Sequence, residues 1–115
     1  MLIYHIIPQN DWRDAVEQGS YQPESLASEG FIHFSKKEQV IDTAHRYYHG
    51  RTDMQLLQVD TDKAVAQVKF ENTHGGEELF PHLYGLLNLD SVTNVYELTP
   101  DQNGIFSLPA RIEKE

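Results

Sequence analysis

Apolar and polar positions follow two different periods along the chain, and the periods divide it into strands and helices. Leu2-Ile3-Tyr4-His5-Ile6-Ile7 is β-branched and aromatic, stops at Pro8 and is apolar on both faces, which predicts a strand lying centrally in a sheet. Asn10 or Asp11 then caps a short helix whose Trp12, Ala15 and Val16 share a face, with Gly19 as its left-handed stop. Residues 21–28 read as a loop or a second short helical turn, and Phe31 to Phe34 as a short strand after Gly30. Ser35-Lys36-Lys37-Glu38 is a capping-box pattern. Behind it Val40, Ile41, Ala44, Tyr47 and Tyr48 make one apolar stripe, which predicts a helix over residues 36–49 closed by Gly50.

Farther along, residues 54–60 and 64–71 both have strand character and are separated by Thr61-Asp62-Lys63, predicting a hairpin or a strand with a tight return. In the second run Val65, Gln67, Lys69 and Glu71 alternate against Ala66, Val68 and Phe70, so one face is polar. A loop with Gly75-Gly76 spans residues 72–78 and leads to Phe80-Pro81-His82-Leu83-Tyr84-Gly85, then a strand over residues 92–98. Residues 105–108 are expected to add an edge strand before a charged tail. Strands interspersed with two short-to-medium helices predict the α+β class, and the lack of repeats or linkers predicts one domain over residues 1–115.

Composition narrows the partners. A chain of 115 residues with 39% hydrophobic and 23% charged positions has enough apolar matter for one core. Its net charge of −9, with only nine Lys and Arg, argues against a nucleic-acid backbone, whose binding rests on cations that displace counterions. With no cysteine there is no disulfide framework, thiolate nucleophile or Cys-based zinc site, and a cytoplasmic location is expected. The start lacks the basic lead and cleavage site of a secretory signal, and no stretch approaches the ~20 apolar residues of a membrane helix.

Candidate chemistry centres on rings. His5 stands between isoleucines in the first strand, either as a satisfied core histidine or as a side chain aimed into a cleft. His33 alternates with Phe31 and Ser35 in the same manner. Two such strands favour a shared polar site, because each histidine otherwise needs its own internal partner. Ser35 caps the helix with Glu38, and the helix start behind it favours an anion such as phosphate. His45 and His49, four residues apart, have metal-ligand spacing but no Glu beside them, and a solvated helix end explains them as well. His82 and Tyr84 sit with a proline and a glycine in the densest cluster of ring side chains, read either as a packed turn or as a site. Glu71, at a strand end, is a candidate acid or ribose-binding carboxylate or a solvated glutamate, and Asp60 with Asp62 reads as a cation site or a charged turn. Nucleophile elbows, phosphate loops and dinucleotide fingerprints do not occur.

Ile3-Tyr4-His5-Ile6, the run from Trp12 to Tyr21, Glu29-Gly30-Phe31-Ile32-His33-Phe34-Ser35, Gln39-Val40 and the segment Phe80 to Gly85 together resemble the domain-of-unknown-function 952 family over about residues 2–98. That family is similar to the ADP-ribosyltransferase-like fold. The resemblance implies a split mixed or antiparallel sheet gripping NAD in the cleft between its halves. It further implies a first-strand histidine, His5, on ribose or phosphate, an aromatic ring on nicotinamide and a late-strand glutamate stabilising the transition state. This sequence departs from that pattern, since His82 or Tyr84 stands where the glutamate belongs, with Glu71 as the substitute from a neighbouring strand.

The expectation is a small-molecule pocket for NAD or an ADP-ribose-like nucleotide, that of a divergent ADP-ribosyltransferase or NAD-processing enzyme, with NAD as substrate rather than resident cofactor and no metal. In it His5, His82 and Glu71 are the catalytic candidates, and His33, Ser35, Tyr47, Tyr48 and Tyr84 hold the ligand. Ser35 and the helix start take phosphate, and Tyr84 stacks. A non-catalytic binding module on the same fold and a histidine-ligated metal enzyme are the alternatives.

Overall fold

The computed structural model describes residues 1–73 and 75–113. Strand β1 (Leu2–Pro8) runs into helix α1 (Gln9–Gln18), followed by β2 (Ser20–Tyr21), α2 (Glu24–Ser28) and β3 (Ile32–His33). A 3₁₀ turn (Lys37–Gln39) opens α3 (Val40–Tyr47), and β4 (Met54–Asp60), β5 (Gln67–Glu71), β6 (Phe80–Tyr84), β7 (Leu87–Asn88), β8 (Val92–Leu98) and α4 (Ala110–Glu113) complete the order. The class is α+β, with small antiparallel sheets.

The sheets are ordered β1-β4-β8, β2-β7 and β3-β6-β5. Alternation sends the two faces of β1 and β4 into different cores. Ile3, Ile7, Leu57 and Val59 pack with Tyr21, Ile32, Phe34, Leu83 and Leu87 from the other sheets. Tyr4, Ile6, Met54 and Leu56 pack with Val40 and Ala44 of α3 and with Phe106 and Ile112 near the carboxyl terminus. The free edge of β1 meets the β3 segment at one bridge, in which Tyr4 and Ser35 exchange backbone hydrogen bonds of 2.9 and 2.7 Å. There the two larger sheets part.

Several expectations are corrected. Strand β4, not β1, is central in its sheet, because β1 is paired along its length on one side only. Of the two readings of residues 54–71 the hairpin does not form, since β4 lies between β1 and β8 while β5 has an exposed face and pairs with β6; the tight return does form, with the Lys63 N–H donated to the Asp60 carbonyl at 3.0 Å. Residues 105–108 make no strand, and Phe106 is instead plugged into the core with its N–H donated to His45 Nε2 at 3.0 Å. Helix α1 starts behind Pro8, whose fixed φ suits that position, without a cap from Asn10 or Asp11. Its Ala15 is buried as expected, but Val16 is exposed. The helix expected over residues 36–49 is split and shorter, and its cap is displaced by one residue: Gln39 Oε1 accepts from the Lys36 N–H at 2.9 Å, and Ser35 with Glu38 forms no box. Gly19, at φ 87°, is the expected left-handed stop of α1.

Candidate functional site

A cavity of about 510 Å³ opens where the sheets part, bounded by β1, β3, the start of β6, α2 and α3. That volume is in the range of small-molecule pockets. Antiparallel register sets His33 of β3 directly opposite His82 of β6, with ring centroids 5.3 Å apart and planes at 78°. Phe31, buried, stacks on His82 at 4.1 Å and meets the His33 ring edge-on at 4.9 Å. One buried ring, Phe31, thus packs against both imidazoles at the cavity wall.

His5 reaches the same wall from β1. Its Nδ1 lies 2.6 Å from the His33 carbonyl and its Nε2 3.0 Å from the Tyr21 hydroxyl. A carbonyl only accepts, so Nδ1 carries the proton and Nε2 accepts from Tyr21. Burial pushes the His5 pKa down to about 4, which holds the ring neutral at physiological pH. Burial also raises the phenols of Tyr21 and Tyr48 above their ordinary range. His33 donates from Nε2 to Glu29 Oε2 at 2.7 Å. His82 is buried and donates from Nδ1 to Glu71 Oε1 at 3.0 Å, while the Tyr84 hydroxyl donates to the same oxygen. The bonds from Tyr84 and His82 hold the Glu71 carboxyl below the usual carboxylate range, and the same contact raises the Tyr84 phenol.

Of the residues singled out in the sequence, His5, His33, Ser35, Tyr47, Tyr48 and His82 all line the cavity, although Tyr47 stands at an exposed rim. Ser35 is engaged with Thr43, their hydroxyls 3.4 Å apart. Glu71 and Tyr84 do not line it; they stand behind His82, where Lys69 Nζ also lies 4.9 Å over the Tyr84 ring. Phe80 to Tyr84 is a strand rather than a packed turn, and Gly85 is needed in the bend behind it: a Cβ would lie 2.7 Å from that of Ala66. His45 is occupied by the Phe106 N–H, and no three His, Asp or Glu side chains gather as metal ligands among the described residues. Asp60 accepts from the Asp62 N–H at 2.9 Å, which is a turn contact.

Sequence reasoning passed over Tyr21, Glu29 and Arg46. Glu29 stands four residues before His33, but the spacing bridges a helix and a strand, so no helical period announces it. Arg46 lines the cavity from α3 and has no ion-pair partner among the described residues. Tyr21 acquires its role only from the contact with His5, sixteen positions away.

The fold is similar to that of protein CC0527 from Caulobacter crescentus. The crystal structure of that protein superposes with a TM-score of 0.86 at 32% identity, covering 98% of this chain and 99% of that one. Its solution structure gives 0.83 at 33% identity, covering 99% and 98%. No curated protein matches the chain. Residues 6–95 match the family described as "Protein of unknown function (DUF952)", and the chain belongs to that family.

Proposed function

We propose that the cavity binds NAD or an ADP-ribose-like nucleotide, on an architecture of the ADP-ribosyltransferase kind, in the cytoplasm. The observation that carries this reading is the convergence of His5, His33 and His82 from three strands on one cavity, with Arg46 as a cation not spent on an ion pair among the described residues. Arg46 is the phosphate ligand in this reading, since its guanidinium forks onto phosphate oxygens. Tyr47 and Tyr48 offer faces for a base or nicotinamide ring. His5, with both nitrogens engaged, acts through the Tyr21 hydroxyl it orients.

Isothermal titration calorimetry with NAD and ADP-ribose tests the reading. Saturable heat with submillimolar Kd is expected, and Arg46→Ala weakens it about tenfold or more, the scale of a lost charge-assisted hydrogen bond. Absence of heat from both nucleotides at millimolar concentration overturns it. A binding module that leaves its ligand intact is the second reading, favoured by Glu71 facing His82 and Tyr84 instead of the cavity. Mass spectrometry of the ligand after long incubation separates the two.

A further inference from the structure

His33 and His82 are matched in a way that simple ligand binding does not require. Each ring gives one N–H to a carboxylate, Nε2 of His33 to Glu29 and Nδ1 of His82 to Glu71. The opposite nitrogens, Nδ1 of His33 and Nε2 of His82, have no hydrogen-bond partner among the described residues, and both rings line the cavity. His82 is held still by the Phe31 stack and by a carboxylate that Tyr84 fixes in turn. Two oriented imidazoles with unspent nitrogens on one wall are what paired proton transfer needs: one removes a proton from a nucleophile while the other delivers one to a leaving group.

No side-chain hydroxyl among the described residues is bonded to an unspent nitrogen of this pair. Ser35 gives its hydroxyl to Thr43 and Tyr21 to His5. With no protein hydroxyl in place, the nucleophile comes from outside the chain, and on a nucleotide the one already held beside the phosphate is a ribose hydroxyl. Resting on the nucleotide reading of the cavity, we infer that His33 and His82 form an acid–base pair that cleaves a ribose phosphodiester through the neighbouring ribose hydroxyl. His82 Nε2 takes the proton of the 2′-hydroxyl, and O2′ forms a bond to phosphorus. The bond from phosphorus to the departing 5′-oxygen breaks, its electron pair goes to that oxygen, and protonated His33 supplies the proton from Nδ1. The products are a 2′,3′-cyclic phosphate and a free 5′-hydroxyl, with nothing else consumed. Arg46 faces the phosphate charge, and Glu29, Glu71 and Tyr84 are positioning residues. The acidity of the whole chain, at −9, directs this chemistry to short nucleotides over long polymers.

The test incubates the protein with the dinucleotide adenylyl-3′,5′-adenosine and follows 2′,3′-cyclic AMP and adenosine by chromatography from pH 5 to 9. Turnover with a bell-shaped pH profile is expected. His33→Gln, a change at a half-exposed side chain, lowers the rate about 100-fold or more, within the range for loss of a general acid. Glu71→Gln keeps an acceptor for His82 but removes its charge, so the acid limb of the profile moves to lower pH, a change that a purely structural role does not produce. Nitrogen NMR of the wild-type rings reads the tautomers without any substitution: Nδ1–H is expected for neutral His82. Binding of NAD without cleavage of the dinucleotide overturns the inference and leaves the nucleotide reading intact, whereas absence of both removes the two together. A His33→Gln protein that cleaves at the wild-type rate also overturns it.

Discussion

Strand β4 buries Met54, Leu56, Leu57 and Val59 completely, whereas β5, also in a three-stranded antiparallel sheet, leaves Gln67, Lys69 and Phe70 exposed. Strands β1 and β4 are apolar on both faces because α3 and the carboxyl-terminal segment cover one side and strands of the other sheets cover the other, while β8 keeps Thr93, Val95 and Glu97 exposed. The second sheet is half open, and its polar positions are not waste: Glu71 and Tyr84 brace His82, which stands across from His33. Equal hydrogen-bond ladders thus serve two ends. One sheet supplies the burial that stabilises the fold, and the other draws on that stability to hold polar rings against the cavity.

Breaking the apolar sheet has the largest expected effect. Leu56→Ala removes a fully buried side chain between β1 and β8 and costs about 2–5 kcal/mol, read by urea unfolding. A loss under about 1 kcal/mol would show that β4 is not the centre of stability. Acid probes the junction of the two sheets. The unfolded chain protonates His5 near the ordinary 6.5 and the folded chain only at about 4, so the unfolded state binds more protons in between. Stability from this group is present in full above pH 6.5 and is lost as pH falls toward 4, by up to about 3 kcal/mol. His5→Phe flattens that limb, and an unchanged limb in urea titrations at pH 7 and 4.5 contradicts the placement. The smallest effect on stability belongs to the site sheet: His33→Gln loses a half-exposed pair with Glu29 and costs about 0.5 kcal/mol. A far larger loss there would make His33 a structural residue and erase the division of labour between the sheets.

Much of the site was legible residue by residue and little of it pair by pair. The odd isoleucines around His5 and the aromatic neighbours of His33 and His82 mark side chains that need polar partners in an apolar setting. Their convergence on one cavity follows from register, His33 against His82 and Tyr4 against Ser35, which no local pattern encodes. Tyr84 looked like a ligand platform because its ring is aromatic and its segment dense, yet it lies two residues beyond His82 on the same face of β6, past the cavity, where its hydroxyl meets Glu71. The hairpin reading of residues 54–71 failed for a related reason: short-range turn residues propose a pairing, but both edges of β4 are taken by β1 and β8, and its two apolar faces are covered by separate cores.

The amino-acid sequence by itself determined the class, the stops at Gly19 and Pro8, most strand positions and the residue types available for chemistry, because period, turn residues and ionisable groups are local properties. Only the tertiary structure decided which strands pair, which rings share a wall, and that Tyr21, Glu29 and Arg46 belong beside them. Those outcomes depend on contacts between distant segments, whose free energy is shared among many side chains and is carried by no single stretch of chain.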